Sequence, residues 1–211
     1  MKKTIYNRFP KELIASLPVV SFQGRIEVVL TESQAARAVD YLLTMPLLGV
    51  DTETRPSFRK GHMHKVSLLQ VSAHDICFLF RLNRLGMSRS IKRLLEDRLV
   101  PKIGLSLHDD MNGLHKLGDF RPGCFIDLQD HMNEIGIEDL SLQKLFANLL
   151  GKKINKREQL SNWECDILSE KQMLYAATDA WACIILYEEL LRLKQSRNYV
   201  IISTDDEATI S

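Results

Sequence analysis

The chain has 211 residues, 45% of them hydrophobic and 26% charged, which is the balance of a globular domain with a sizeable core. Its formal net charge of +1 excludes a broad basic field, so a nucleic acid would have to be held by local cationic patches or by metal ions. No apolar run approaches the ~20 residues of a membrane span, and the four cysteines lack Cys-x-x-Cys spacing, which predicts a cytoplasmic protein with reduced thiols and no membrane partner.

The predicted elements begin after an N-terminal extension, residues 1–25, which shows no clear hydrophobic period. One domain, residues 26–195, follows, and a C-terminal tail, residues 196–211, ends in a polar, acidic stretch that we expect to fray. The predicted strands are 26–30, 47–50, 66–71, 76–80, 102–105 and 124–126. The predicted helices are 32–43, capped by Thr31, one beginning near Ser88, and then 109–117, 128–134, 142–150 and 169–194.

This order of elements predicts an α/β fold. Strands that cluster early and alternate with helices later indicate a mixed sheet, whose first strands are antiparallel and whose later strands are parallel, with helices on its faces. In open sheets of this kind, sites form beyond the carboxyl ends of the strands. The ends of the strands are therefore where candidate catalytic residues are expected.

Two carboxylates follow the apolar run 47–50. If the strand continues to Glu53, the alternation of side chains places Asp51 and Glu53 on one face and Thr52 on the other. Neighbouring carboxylates repel each other, and a hard divalent cation offsets the repulsion because it prefers oxygen ligands. The alternative is an acidic strand end exposed to solvent, since Asp-x-Glu is a common sequence.

A tyrosine and an aspartate share one face of the last predicted helix. Tyr175 and Asp179 are four residues apart, which brings the phenol and the carboxylate to the same side. The surrounding sequence is mostly apolar, and an Asp in such surroundings is costly unless its charge is satisfied. The alternative is a core tyrosine with an aspartate at the edge of the helix.

More aspartates lie where later strands give way to helices. After the strand 102–105, Asp109 or Asp110 fits the N-cap role that Asp most often has at such a junction. An N-cap role could explain one of these two aspartates, but it explains the presence of both less well. Asp127 follows the strand 124–126, and we expect it to cap the next helix.

These segments, in this order, resemble the DEDD superfamily of 3′-to-5′ exonucleases, in its tyrosine-bearing branch, and they look most like the ribonuclease D and Werner-type exonuclease domains. The first motif, an apolar strand ending in Asp-x-Glu, matches residues 48–54, and a following Leu-Gln pair matches Leu69 and Gln70. The second motif has an Asp after a Lys-x-Gly strand and four residues before a Leu, which favours Asp110 over its neighbour. The third motif, Tyr-x-x-x-Asp, matches residues 175–179.

The resemblance spans about residues 26 to 193 and implies a ribonuclease H-like, metal-dependent hydrolase that removes nucleotides from a 3′ end. It implies two divalent cations, Mg²⁺ or Mn²⁺, at an all-oxygen site. Asp51 would bridge both, Glu53 and Asp179 would complete the first, and Asp110 would hold the second through water. Tyr175 would orient the attacking water. The implied catalytic set is therefore Asp51, Glu53, Asp110, Tyr175 and Asp179, and all but Tyr175 are metal ligands.

The partner that the resemblance implies is a single-stranded 3′ end of RNA or DNA. One basic segment offers candidate phosphate contacts at Lys152, Lys153, Lys156 and Arg157. Phe58 and Leu69 are candidates for stacking against terminal bases, because stacking tolerates any base sequence. A solvated basic face is the alternative for the cluster, and we expect Trp163 to be a packed anchor for its loop.

Two other functions stay open at this point. One is an exonuclease-like module that has lost activity and binds nucleic acid or a protein, although the intact carboxylate set argues against it. The other is a phosphodiesterase that uses the same metal pair on small molecules. The linear pattern does not separate RNA from DNA, because that choice depends on a 2′-hydroxyl contact or its exclusion.

Overall fold

A computed structural model of the chain describes residues 2–57, 61 and 63–203. The strands of these residues are β1 (Lys3–Tyr6), β2 (Val19–Val20), β3 (Arg25–Val29), β4 (Leu48–Thr54), β5 (Val66–Ser72), β6 (Ile76–Arg81), β7 (Lys102–Gly104), β8 (Phe125–Asp127), β9 (Lys153–Ile154) and β10 (Tyr199–Ile202). The helices are α1 (Lys11–Ile14), α2 (Glu32–Leu42), α3 (Leu82–Leu85), α4 (Arg89–Glu96), α5 (Leu107–His115), α6 (Leu128–Met132), α7 (Leu142–Leu150) and α8 (Glu170–Ser196). None of the helices in these residues combines the length and the apolarity that crossing a bilayer requires.

Six strands form the central sheet in the order β3-β6-β5-β4-β7-β8. The strands β4, β5 and β6 form an antiparallel meander, and β7 and β8 continue the sheet parallel to β4. The predicted mixed α/β sheet is therefore confirmed. One strand differs from the predicted direction. The strand β3 is the first of this sheet in sequence and is predicted among the antiparallel strands, but it is parallel to its partner β6. The chain reverses twice between β4 and β6, so an edge strand that runs in the direction of β4 is also parallel to β6.

Helices cover both faces of the sheet. One core cluster packs Leu42 of α2, Leu94 of α4 and Leu114 of α5 against one face. The other face is covered by α8, which lies directly on β4 at Gly49. A Cβ atom at that position would lie 1.9 Å from the carbonyl oxygen of Ala180, so only glycine permits this close approach. The glycine next to the acidic end of β4 thus sets the distance between β4 and α8.

The starts of the helices follow from their caps. The predicted cap of α2 is confirmed, because the Thr31 side chain accepts a hydrogen bond from the Gln34 amide in a capping box. The helix α5 begins two residues earlier than predicted. Its N-cap is Ser106, whose φ of 59° is left-handed, so the N-cap role considered for Asp109 and Asp110 is wrong. Both aspartates lie in the first turn of the helix instead.

Asp127 has the capping role that the sequence predicts, and it holds a second helix as well. Its carboxylate accepts a hydrogen bond from the Gln129 amide at 2.9 Å, which caps α6. It also accepts hydrogen bonds from the amides of Ser106 and Leu107 at 2.8 and 2.6 Å. One carboxylate therefore fixes the left-handed turn that leads from β7 into α5.

Both ends of the chain contribute short strands that hydrophobic periodicity does not predict. β1 pairs in parallel with β10, and β2 pairs in parallel with β9. These pairs consist of four and two residues per strand, too short for an alternating pattern to stand out. The acidic stretch 204–211 lies outside the described residues, and the predicted domain boundaries at 25 and 195 stay predictions.

Candidate active site

Three carboxylates meet where β4 ends beneath α8. The side-chain oxygens of Asp51, Glu53 and Asp179 that face one another all lie within 4.8 Å of each other. In the antiparallel pair of β4 and β5, Asp51 lies opposite Gln70 and Glu53 lies opposite Leu68. The predicted alternation in β4 therefore places both acids on the face that α8 covers. Glu53 and Asp179 are buried, with 8% of each residue exposed.

Tyr175 lies one helical turn before Asp179 and belongs to the same site. The nearby Tyr175 phenol lowers the pKa of Asp179, against the larger effect of burial. Its ring packs against Trp163, with the ring centroids 6.0 Å apart. Trp163 is fully buried, which confirms the prediction that it is a packed anchor. This contact with Trp163 therefore restricts the orientation of the Tyr175 ring.

The loop that carries Trp163 is held by Arg81, which the sequence did not single out. Arg81 ends β6, is 1% exposed, and donates hydrogen bonds to the carbonyl oxygens of Cys165 and Asp166. Burial, the largest cause, lowers the pKa of its guanidinium. A charged residue directly after the apolar run 76–80 was the available signal. A buried arginine there needs backbone acceptors, and the loop provides them.

Asp110 reaches the site from the opposite face of the sheet. It is not one of the three mutually close carboxylates found among the described residues, and it accepts a hydrogen bond from the Thr52 hydroxyl instead. Burial raises the pKa of Asp110 to about 6, although the bond from Thr52 acts in the other direction. Asp109 is exposed to solvent. Of the two neighbours, Asp110 is the one that the fold brings towards Asp51.

The carboxylates repel each other strongly in the protein alone. Burial, followed by repulsion from Asp110 and Glu53, holds the pKa of Asp51 well above its usual range. Burial, followed by repulsion from Asp179 and Asp110, raises the pKa of Glu53 to about 9. Burial raises the pKa of Asp179 to about 7. The fold therefore brings together acidic groups whose ionised forms are costly without a cation to offset their charge.

The donor set fits a hard divalent cation. Every candidate ligand atom is a carboxylate oxygen, which is the chemistry that Mg²⁺ and Mn²⁺ prefer. Among the described residues, Asp179 Oδ1 is buried and has no hydrogen-bond partner. A buried carboxylate oxygen in this position is costly unless a cation or a donor satisfies it. The cluster of Asp51, Glu53 and Asp179 is thus a suitable metal site by its own chemistry.

The four basic residues predicted to contact nucleic acid differ in their surroundings and in their distance from the carboxylates. Lys156 lines a cavity of about 240 Å³ together with Tyr175 and Asp179, and its charge is among the causes that lower the pKa of Asp179 against burial. Lys153 is half-buried and donates to the carbonyl oxygen of Ala15, so its ammonium group has a structural partner. Lys152 and Arg157 are exposed to solvent.

The two predicted stacking residues have different outcomes. Phe58 lies outside the described residues. Leu69 is 2% exposed and packs in the core cluster beneath α2 and α4, so the prediction that it stacks on a base is wrong for this conformation. The reason is that every residue of β5 is buried, because helices cover both faces of this central strand. The alternation of side chains along β5 therefore leaves neither face of the strand exposed to solvent.

Comparison with solved structures identifies the class of fold. Escherichia coli RNase D superposes with a TM-score of 0.73 at 19% sequence identity, covering 82% of this chain and 46% of that one. That enzyme is described as an exoribonuclease involved in structured RNA processing. At this identity the match shows the fold alone. The mixed sheet with antiparallel β4-β5-β6 and its flanking helices is therefore a ribonuclease H-like exonuclease fold.

Sequence comparison identifies the family. Residues 26–194 match the family described as 3′-5′ exonuclease, and the chain belongs to it. A 3′-5′ exonuclease of Arabidopsis thaliana is 31% identical over 205 residues, which cover 89% of this chain and 71% of that protein. The Mus musculus bifunctional 3′-5′ exonuclease/ATP-dependent helicase WRN is 30% identical over 203 residues, covering 91% of this chain but 14% of the mouse protein. The domain is thus a 3′-5′ exonuclease, a hydrolase of phosphodiester bonds.

Proposed function

We propose that this domain is a tyrosine-bearing DEDD exonuclease, which removes nucleotides from a single-stranded 3′ end with two divalent cations, Mg²⁺ or Mn²⁺. The observation that carries the proposal is the mutual closeness of the carboxylate oxygens of Asp51, Glu53 and Asp179, within 4.8 Å, with the Tyr175 phenol near enough to Asp179 to lower its pKa. Family membership supports exonuclease activity, and the tyrosine one turn before the last aspartate supports this branch.

The grouping of Asp51, Glu53 and Asp179 supports one cation site, and the family resemblance suggests where a second cation would bind. Asp51, Glu53 and Asp179 would hold the first, and Asp51 with Asp110, which lies on the other side of β4, would hold the second. When bound, the cations would make the attacking water more acidic and offset the negative charge that develops at phosphorus. Before a cation binds, the hydrogen bond from Thr52 would keep the Asp110 carboxylate directed towards the site.

Tyr175 would orient the attacking water. A phenol both donates and accepts hydrogen bonds, so its hydroxyl can donate to Asp179 while its oxygen accepts a hydrogen bond from a water molecule. Trp163 behind the ring restricts the positions that the hydroxyl can take. A water held in this way presents a lone pair in a fixed direction, which is how positioning contributes to the rate.

Lys156 would contact the substrate backbone near the scissile bond. It lines the cavity that also contains Tyr175 and Asp179, and its Nζ donates a hydrogen bond to Ser141 Oγ at 3.3 Å. A cation in this position attracts a phosphate to the carboxylates, which would otherwise repel it. Nucleic acid is the partner that this combination of charges favours, and the similarity of fold to E. coli RNase D, an exoribonuclease, supports RNA as one substrate.

The proposal is tested by incubating 5′-labelled RNA and DNA oligomers, single-stranded and recessed, with Mg²⁺, Mn²⁺ or a chelator. We expect products that shorten from the 3′ end with either cation and none with the chelator. Asp51→Asn and Asp179→Asn should abolish the products while the protein stays folded. Hydrolysis by well-folded Asp51→Asn would sink the metal mechanism. Binding without hydrolysis by the wild type would identify an inactive module, and cleavage of dinucleotides alone would identify a small-molecule phosphodiesterase.

A further inference from the structure

A second cavity adjoins the site on the other side of Tyr175. It has a volume of about 260 Å³, and Ile154 and Tyr175 line both this cavity and the one that contains Asp179. An engineered apolar cavity of about 150 Å³ is large enough to bind benzene. The cavity beside Tyr175 is therefore large enough for the two fused rings of a purine base.

Apolar side chains from two distant parts of the chain form much of the wall of this cavity. Val19 and Val20 of β2 form one wall, because β2 pairs in parallel with β9 and places Val20 beside Ile154. Leu174 of α8 forms part of the other wall. The strand β2 precedes residue 26, where the match to the exonuclease family begins. One wall of the cavity is thus built by a segment outside the matched domain.

The rim of the cavity carries positive charge. Arg157 and Lys171 line the cavity and are exposed to solvent. Within the described part of the chain, neither side chain forms an ion pair with a carboxylate. Glu158 also lines the cavity, and its carboxylate accepts a hydrogen bond from Ser161 at 2.7 Å. An apolar slot with two cations and one anion at its edge favours a ligand that joins a flat ring to a phosphate.

We propose that this cavity is a nucleotide subsite, which takes one base of the bound strand between Val20 and Leu174 and the adjoining phosphate at Arg157 and Lys171. The inference rests on the proposed function, since the shared wall at Tyr175 places the subsite next to the reacting end of the strand. Its contribution is to the binding of the strand. Stacking and apolar contacts with a base do not depend on which base it is. This suits an enzyme that trims 3′ ends of any sequence.

The test fills the cavity with a larger side chain. Leu174→Trp places an indole in the slot, and Leu191→Trp is its control, since Leu191 lies on the same helix with a similar exposure, 44% against 38% for Leu174. With Mn²⁺ and a ten-nucleotide single-stranded DNA, we expect Leu174→Trp to raise KM about tenfold, as loss of one stacked base does, and to lower kcat less than about threefold. Leu191→Trp should leave both constants unchanged.

Two further variants keep the proposal falsifiable if Leu174→Trp folds poorly. Val20→Trp fills the slot from the opposite wall and should raise KM in the same way. The double variant Arg157→Gln/Lys171→Gln should make the salt dependence of binding shallower. Its control is Lys92→Gln/Arg98→Gln, which removes the same two charges from exposed positions at α4 and the segment after it. Equal salt dependence in the two double variants would count against the phosphate contact.

Binding measurements separate this inference from the proposed function. Fluorescence anisotropy of the same labelled oligomer, in chelator, reports affinity without hydrolysis. If the wild type does not hydrolyse the oligomer but Leu174→Trp still binds it more weakly than Leu191→Trp, the subsite stands and the exonuclease proposal fails. If hydrolysis persists and the two variants have equal KM and equal affinity, the subsite is overturned. A fall in kcat as large as the rise in KM would also overturn it, because the substitution would then act through Tyr175.

Discussion

The hydroxyl of Thr52 donates a hydrogen bond to the carboxylate of Asp110. Thr52 stands between Asp51 and Glu53 in β4, and its side chain points to the opposite face of the sheet. The helix α5 packs on that face and presents Asp110 to it. The middle residue of the Asp-x-Glu step therefore connects the fourth acidic residue to the strand that carries the first two.

This connection predicts that Thr52 positions Asp110 for the second cation. Thr52→Val keeps the shape of the side chain but removes the donor, and we expect about a tenfold to hundredfold loss of activity at limiting Mn²⁺, as for other groups that orient metal ligands. Thr52→Ser keeps the hydroxyl and should stay near the wild type. Activity measured against Mn²⁺ concentration checks this. Superimposable curves for the valine variant and the wild type would show that the bond has no such role.

The adjacent aspartates of α5 give a matched pair of variants. Asp110→Ala should reduce hydrolysis by several orders of magnitude, because Asp110 is the proposed ligand of the second cation and lies near enough to Asp51 to raise the pKa of that carboxyl. Asp109→Ala should change the rate less than about threefold, since an exposed position in the first turn contributes at most a small effect on the helix dipole. Single-turnover rates of both variants decide the matter. Comparable losses in the two variants would contradict the choice of Asp110.

Removing the hydroxyl of Tyr175 should slow turnover without unfolding the site. We expect Tyr175→Phe to lower kcat about 10²- to 10⁴-fold, the range for loss of a group that assists proton transfer or orients the nucleophile, with little change in KM. Tyr187→Phe is the control and should turn over normally, since Tyr187 lies on the same helix but packs against a separate core cluster that includes Leu186 and Leu190. A near-normal kcat for Tyr175→Phe would remove the role proposed for it.

The metal-free protein should lose stability as the pH rises. Burial raises the pKa values of Asp110, Asp179 and Glu53 to about 6, 7 and 9, and at Glu53 repulsion from Asp179 and Asp110 adds to the effect of burial. These carboxyls hold their protons more tightly in the folded state than in the unfolded chain, where they titrate near pH 4. Their contribution is therefore fully present below about pH 4 and is lost as the pH rises through about 6 to 9.

Melting curves check this dependence on pH. In chelator, we expect the melting temperature to be lower at pH 9 than at pH 6 by several degrees, and Mn²⁺ should restore most of the difference because it offsets the repulsion. Glu53→Gln removes one of the titrating groups, so its metal-free melting temperature should vary less with pH than that of the wild type. A wild-type melting temperature that stays constant from pH 6 to 9 in chelator would contradict the prediction.

Local sequence was sufficient for the relationships that depend on one element. The two-residue period of a strand places Asp51 and Glu53 on one face, and the helical spacing of four places Tyr175 beside Asp179. The helix α7 has the predicted bounds, Leu142–Leu150, because apolar periodicity and the glycine at its end are both local signals. The sequence by itself therefore determined which acidic residues could act together.

Only the tertiary structure decided how these elements meet. Gly49 could not be read as the contact that lets α8 lie on β4, because its partner Ala180 is distant in sequence. Leu69 looked available to a base, but helices on both faces of the sheet bury all of β5. The cavity beside Tyr175 needs β2 against β9, a pairing of two residues per strand with no periodic signal. Packing between distant segments thus completes a site whose acidic residues and tyrosine are identifiable from the local sequence of β4 and α8 alone.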